Sequence, residues 1–267
     1  MAHNIVRMDE LGVVVPTLTH LARGYQNEDL VGKMLFVQTP VNSYSFDVPI
    51  FGKENFRIYK SKAAIGADTP IIPPGAKKKE RFTLTAKQLS ALIDSTEKEL
   101  TQGEIEREAQ EKVTESMTLE EEYLIGKTAQ DATNYPANHV VTLSGTSSLS
   151  DSNSDIEGMA IDWKKQIREK IFKEPNTALI GLEMYYNLLK HPQVKSYIPK
   201  NSERGKSAGV EEIKKVLGVK KLGIGAAVFV DAQGNQHKIW GNNLILCWNP
   251  EKATKRQPSF AKFFQHK

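Results

Sequence analysis

Apolar and polar residues alternate through VNSYSFDVPIF, which places Tyr44, Phe46, Val48 and Ile50 at every second position, the period of a half-exposed strand. The next extended run, ENFRIYKS, continues with Phe56 and Ile58, while Tyr59 falls on the opposite face. Gly52, Lys53 and Glu54 lie between the two runs as a turn, so the pattern predicts a hairpin. Pro49 assigns it to an edge, because proline donates no ladder hydrogen bond. The following ADTPIIPPGAKKKER carries Pro70, Pro73, Pro74 and Gly75, which excludes a core strand or helix. The whole stretch therefore reads as an extended excursion with little core of its own, of the kind that serves as a lid or a contact arm. Upstream, residues 18–36 scatter Leu21, Tyr25 and Met34 among polar positions and read as an irregular arm with room for one short helix.

The period then changes. From TAKQLSALIDSTEKEL to about residue 132 the pattern is helical, with Leu89, Leu92 and Ile93 on one face and Gly103 as a weak point. Ile105, Ala109, Val113 and Met117 then recur every four residues, which predicts a long helix with a narrow apolar stripe, too brief for a coiled coil. TNYPANHVVTLSGTSSLSDSNSDIEG is rich in turn formers and reads as a surface linker with one short strand candidate at 140–143. The main boundary is placed near Ser154.

Beyond it the pattern is α/β. Ala160, Trp163, Ile167 and Ile171 form a helix face that Pro175 stops, and residues 177–180 are a strand candidate. Leu182, Tyr185, Leu188 and Leu189 face inward on a helix ended by Pro192. Val210, Ile213, Val216 and Leu217 repeat the theme, with Gly218 as C-cap. Residues 225–230, the turn DAQGN and residues 239–248 complete the chain as an antiparallel pair.

Composition adds limits. The chain of 267 residues, 39% hydrophobic, is long enough for one large or two modest domains. Its net charge of +4 comes from 36 basic and 32 acidic residues and names no partner. The basic runs are short (Lys77–Lys79 with Arg81, Lys214 with Lys215, Lys252 with Lys255 and Arg256), so they read as solvated surface and not as a phosphate-gripping stripe. Cys247 is the sole cysteine, which excludes an intrachain disulfide and a cysteine metal site and fits a reducing compartment. Asp9 and Glu10 precede a very short apolar run, unlike a signal peptide, and LGIGAAVFV is far shorter than the roughly 20 residues of a membrane helix.

The motifs that could carry chemistry read as packing. GKT at Gly126–Thr128 has Glu121 where a phosphate-binding loop needs glycine, and it lies in a glutamate-rich helix. In LGIGAAV, Val228 takes the third glycine position of a dinucleotide fingerprint and the glycines fall within a strand. Leu182 and Glu183 open the helix after residues 177–180, an apolar side chain and a negative charge where an anion would sit. Cys247, between Leu246 and Trp248, reads as a buried inert thiol. The sequence assigns no catalytic, cofactor-binding or metal-ligating residue.

Several collinear segments together resemble tailed-bacteriophage major capsid proteins. They are LARGYQNEDLVGKMLFVQTPV, FRIYKSKAAIGADTP, LEEEYLIGKTAQD, VVTLSGTSSLSDSNSD, EPNTALIGLEMYYNLLKHPQV, GVEEIKKVLGVKKLGIGAAVF and KIWGNNLILCWNP, and they span most of residues 18–250. The resemblance implies an α+β coat fold. Its parts would be an N-terminal arm at 1–39, an extended hairpin loop at 40–83 lying over a neighbouring subunit, a peripheral domain with a spine helix at 84–155, an α/β axial domain at 156–249 and a C-terminal tail at 250–267. It further implies a non-enzymatic protein that assembles with copies of itself, as hexamers and pentamers, into an icosahedral head enclosing phage or prophage DNA. Packaged DNA would be met by non-specific contact. A scaffolding protein, a portal and a maturation protease would be further partners, with no membrane involved and no cofactor. The implied location is the virion capsid, assembled in the bacterial host cytoplasm. Tyr44, Phe46, Phe56, Ile58 and Tyr59 are the candidate assembly contacts, since aromatic side chains dominate interfaces; the competing reading is a hairpin whose side chains satisfy each other. Three alternatives stay open: a capsid-like nanocompartment around a protein cargo, a small-molecule-binding α/β enzyme using residues 156–249, and a DNA-binding protein whose affinity would fall steeply with salt. The chain departs from the family where FAKFFQHK ends at Lys267, since the family's chains continue with strands returning to the peripheral domain; how the peripheral sheet is completed stays open.

Overall fold

The computed structural model describes residues 30–51, 57–59, 76–92, 104–199, 208–251, 254–255 and 257–266. In chain order they form a one-turn helix α1 (Gly32–Leu35), strands β1 (Phe36–Val41), β2 (Ser45–Phe51) and β3 (Ala76–Thr83), and the long helix α2 (Glu104–Gln130). Helix α3 (Ile156–Ile171), strand β4 (Thr177–Gly181) and helices α4 (Leu182–Lys190), α5 (Pro192–Ser196) and α6 (Val210–Leu217) follow. Strands β5 (Lys221–Gly225), β6 (Val228–Val230), β7 (Gln236–Lys238), β8 (Leu244–Cys247) and β9 (Ala261–His266) come last. Helix and strand are thus mixed throughout, an α+β arrangement.

Strand β4 organises the interior. It lies between β5, to which it is parallel, and β8, to which it is antiparallel. All five of its residues are buried, as a strand covered on both faces must be. Because successive side chains point to opposite faces, Ala178 and Ile180 enter one core and Leu179 enters another. The first core is closed by helices α3 to α6 through Ile156, Ala160, Leu188, Val194, Ile213 and Leu217. The second is closed by α1 and the C-terminal half of α2 through Leu35, Ile125 and Ala129, together with Trp240 and Cys247.

Local chemistry sets the helix ends. Asp155 caps α3 by accepting from the Gly158 N–H at 3.1 Å, and the Gln193 side chain accepts from the next free donors, the Ile156 and Glu157 N–H groups, at 2.8 and 3.2 Å. His191 caps α5: its Nδ1 accepts from the Gln193 N–H at 3.2 Å, so Nε2 carries the proton and donates to the Asp151 carbonyl at 3.0 Å. Helix α6 stops at Gly218, whose φ of 61° is the left-handed conformation glycine adopts most readily.

Several sequence expectations are corrected. The hairpin partner of β2 is β3 and not residues 56–58, with Phe46 opposite Phe82. The prolines at 70, 73 and 74 lie outside the described residues, and Pro49 sits in a two-stranded ribbon where each strand is an edge. Residues 84–92 are not helical: Leu89 and Leu92 are exposed and find no surface to bury against. Residues 140–143 form no strand, and 239–248 is not one strand but a break at Trp240 and Gly241 between β7 and β8. The indole of Trp240 turns into the second core, and Gly241 takes a φ of 52° to permit it. The DAQGN turn does close a hairpin, β6 with β7.

Candidate assembly surfaces

The β2–β3 ribbon is the element with least core. Antiparallel register places Phe46, Val48 and Ile50 opposite Phe82, Glu80 and Lys78, and Ser45, Asp47 and Pro49 opposite Thr83, Arg81 and Lys79. Every residue from Lys78 to Thr83 is exposed. An ion pair between Arg81 and Asp47 at 3.2 Å bridges the strands, and in water it stabilises them little.

The ribbon is held at its foot by aromatic packing on β9. The Phe46 ring meets Phe264 at 4.7 Å between centroids and Phe82 at 6.4 Å, and Phe82 meets Phe264 at 6.0 Å. The Lys255 ammonium lies 4.9 Å from the centre of the Phe46 ring, and Tyr44 stacks on His266 at 4.4 Å. Strand β9 is in turn paired, in parallel, with β1 from Phe36↔Ala261 to Val41↔His266. The tail thus supplies both the partner of β1 and the seat of the ribbon.

Among the five candidate contacts, Tyr44 is 60% exposed, Ile58 94% and Tyr59 36%, whereas Phe46 is buried within its own chain. Phe56 lies outside the described residues. Tyr44 and Phe46 share the ribbon's foot; the Arg57 guanidinium lies 5.8 Å from the Tyr59 ring centre.

A second junction joins α1 to α2 and the central sheet, and sequence reasoning missed it. Glu122, 2% exposed, accepts from the backbone N–H of Val31 at 3.0 Å, from that of Gly32 at 2.9 Å and from the Trp240 indole at 2.7 Å. Three donors of this kind are what allow a carboxylate to be buried, and they tie α1, α2 and the β7–β8 link together. Gly32 is required by closeness: a Cβ there would stand 2.7 Å from Glu122 Oε2 and 2.9 Å from Ile125 Cγ2. The available signal was helical spacing, since Glu122 heads the buried series Ile125 and Ala129 on α2. Nearby, Asn249 Nδ2 donates to the Met34 and Leu35 carbonyls at 2.7 and 2.9 Å, and its Oδ1 accepts from the Phe260 N–H at 3.2 Å, joining α1, the end of β8 and the start of β9.

The motifs considered for catalysis are filled with packing. Gly126 lets Ile239 approach α2, where a Cβ would stand 2.6 Å from Ile239 Cγ2. Gly225 lies under the Trp240 ring, and Gly181 abuts the Gly241 carbonyl, which closes the strand end where α/β folds commonly bind ligands. Burial pushes the Cys247 thiol up to about 12, which keeps it protonated and inert. Among the described residues no group of three or more His, Cys, Asp or Glu is placed to hold a metal ion.

Comparison with known proteins finds phage proteins by sequence and by structure. The chain is 31% identical over 259 residues to the major capsid protein of a Burkholderia phage, BcepMu, covering 95% of this chain and 84% of that one. It is also similar to the crystal structure of a phage-related protein from Bordetella bronchiseptica RB50, with a TM-score of 0.71 and 26% identity over 95% of this chain and 84% of that one. No family model matches the chain.

Proposed function

The chain belongs to the bacteriophage major capsid proteins, and from that premise we propose how its surfaces build the capsid shell. The protein is a structural, shell-forming protein of the virion. The shell is an icosahedral head of hexamers and pentamers around phage or prophage DNA, assembled in the host cytoplasm. The DNA is met without sequence preference. A scaffolding protein, a portal and a maturation protease are its proposed further partners. The nanocompartment and enzyme alternatives are not favoured.

The observation that carries the reading is the β2–β3 ribbon, exposed along β3 and seated by one aromatic cluster. A two-stranded ribbon is marginal in water on its own, and its apolar residues gain most when another surface covers them. Tyr44, Ile58 and Tyr59 are the proposed contacts to a neighbouring copy, with Phe56 beside them in sequence. Phe46 acts from within, fixing the angle at which the ribbon leaves the body. The arm, the peripheral part with its spine helix α2 and the axial part built on β4 take the boundaries stated for the family resemblance.

Light scattering after size-exclusion chromatography, with negative-stain microscopy of the large fractions, tests this. The expected result is capsomers, tubes or shells from the unaltered chain, and monomers with unchanged circular dichroism from an Ile58→Asp, Tyr59→Asp double variant. Assembly that is equal in both would refute the contact role given to Ile58 and Tyr59.

A further inference from the structure

Short basic runs that stand apart in the sequence meet at one end of the central sheet. Residues 164–174 and 214–221 hold nine basic and two acidic side chains, a net charge of +7 in a chain whose total is +4. The remainder of the chain is therefore net acidic. The fold sets the two segments side by side: the Lys164 ammonium lies against Gly218 at the end of α6, and the Asn176 carbonyl accepts from the Lys220 and Lys221 N–H groups at 2.9 and 3.0 Å as β5 begins. Thr177 pairs with Lys221 on one side and with Cys247 on the other, so Trp248 belongs to the same end of the sheet. The Lys173 ammonium lies 3.8 Å from the centre of the Trp248 ring.

Ion pairs and helix ends account for part of this charge. Arg168 pairs with Glu174 at 2.8 Å and Lys214 with Glu211 at 2.7 Å. Lys214 and Lys215 also offset the negative end of the α6 dipole, as Arg168 and Lys170 do for α3. Lys165, Lys173, Lys220 and Lys221 are exposed and lie outside those last turns, so their charge serves neither purpose. Like charges gathered in this way repel one another, and a bound polyanion relieves the repulsion. A duplex backbone suits the residue type: lysine is a compact charge on a flexible stem that can follow phosphates in any register, whereas bidentate reading of base edges falls chiefly to arginine.

We propose that this end of the sheet is the surface that meets packaged DNA, binding its phosphate backbone through Lys165, Lys220 and Lys221. The proposal rests on the reading of the chain as the shell around DNA, and adds which end of the central sheet turns inward. The basic runs look like solvated surface in the sequence because three of them become one surface in the fold alone.

Fluorescence anisotropy of labelled duplexes of two unrelated sequences, titrated with the dilute full chain over a range of salt, tests it. The triple variant Lys165→Gln, Lys220→Gln, Lys221→Gln should bind both duplexes at least about tenfold more weakly at low salt, and the slope of log K against log salt should shrink by about 3. The corresponding Lys→Arg triple should bind like the unaltered chain, which separates lost charge from lost folding. Lys112→Gln, Lys127→Gln, Lys195→Gln removes the same charge from exposed sites elsewhere and should stay within about twofold of the unaltered chain. No loss in the first triple, or an equal loss in the two Gln triples, would overturn the proposal. Light scattering without DNA reads assembly separately. A first triple that keeps its duplex affinity but stops forming shells gives the lysines to a neighbouring copy and overturns the proposal, whereas duplex binding through these lysines by a chain that forms no shell retains the surface and overturns the shell reading.

Discussion

The Glu122 carboxylate ties three separate elements together. Its oxygens satisfy two backbone donors at the start of α1 and the buried indole of Trp240. Glu122→Ala would leave those donors buried without acceptors, and we expect a loss of about 3 kcal/mol or more, read from the denaturant midpoint. Gly32→Ala, which sets a methyl against the same carboxylate, should cost about 1–3 kcal/mol by the same assay. Cys247 makes a simpler prediction. Its ionisation is raised to about 12 by burial, so at pH 8 the thiol is protonated and should not react with an aromatic disulfide reagent until the protein is unfolded. Asp231 moves the other way. The His237 side chain and the Asn235 N–H hold its carboxyl at about 2, so its bonds at the β6–β7 turn are complete above the ordinary carboxylate value near 3.8 and are lost as pH falls through about 2. A carbon-detected NMR titration of that carboxyl reads the midpoint directly.

Among elements, the ribbon depends on a strand far from it in sequence. Phe264→Ala removes the ring that Phe46 and Phe82 both touch and should destabilise the protein by about 2 kcal/mol. It should also speed amide exchange in β2 and β3 while leaving β4 protected. Elements governed by local period were readable from the sequence: α3, β4, α4 and α6 each pair a clear periodicity with a recognisable stop, such as Gly218. Those governed by distant partners were not. AKKKERFT has no apolar alternation, yet it forms β3 because Phe82 finds Phe46 and Phe264. TAKQLSAL has the helical spacing, yet it forms no helix because Leu89 and Leu92 meet no surface. Glu122 was overlooked within EEE, where its helical spacing to Ile125 and Ala129 is the one sequence signal that sets it apart from its more exposed neighbours.

At the scale of the whole molecule, β4 couples two cores through one strand. Leu179 points to the core shared with α2, while Ala178 and Ile180 point to the core built from α3 to α6. Leu179→Ala should therefore lower stability by about 3 kcal/mol without splitting the unfolding curve, and amides of α2 and α3 should lose protection together. Two transitions would show that the layers unfold independently.

The pairing of β1 with β9 carries a consequence of timing. Gln38 and Gln265, bonded across these strands, lie 227 positions apart. Closing so long a loop costs about 5 kcal/mol of chain entropy, so this contact forms late, after the central layers have drawn its ends together. During synthesis β1 leaves the ribosome first and waits, at about 5–20 residues per second, some tens of seconds for its partner. The aromatic seat on Phe264 arrives with that partner. A nascent chain therefore cannot seat its ribbon on Phe264 until β9 has been made, so the foot that holds the ribbon is the product of late synthesis and not of the ribbon's own sequence.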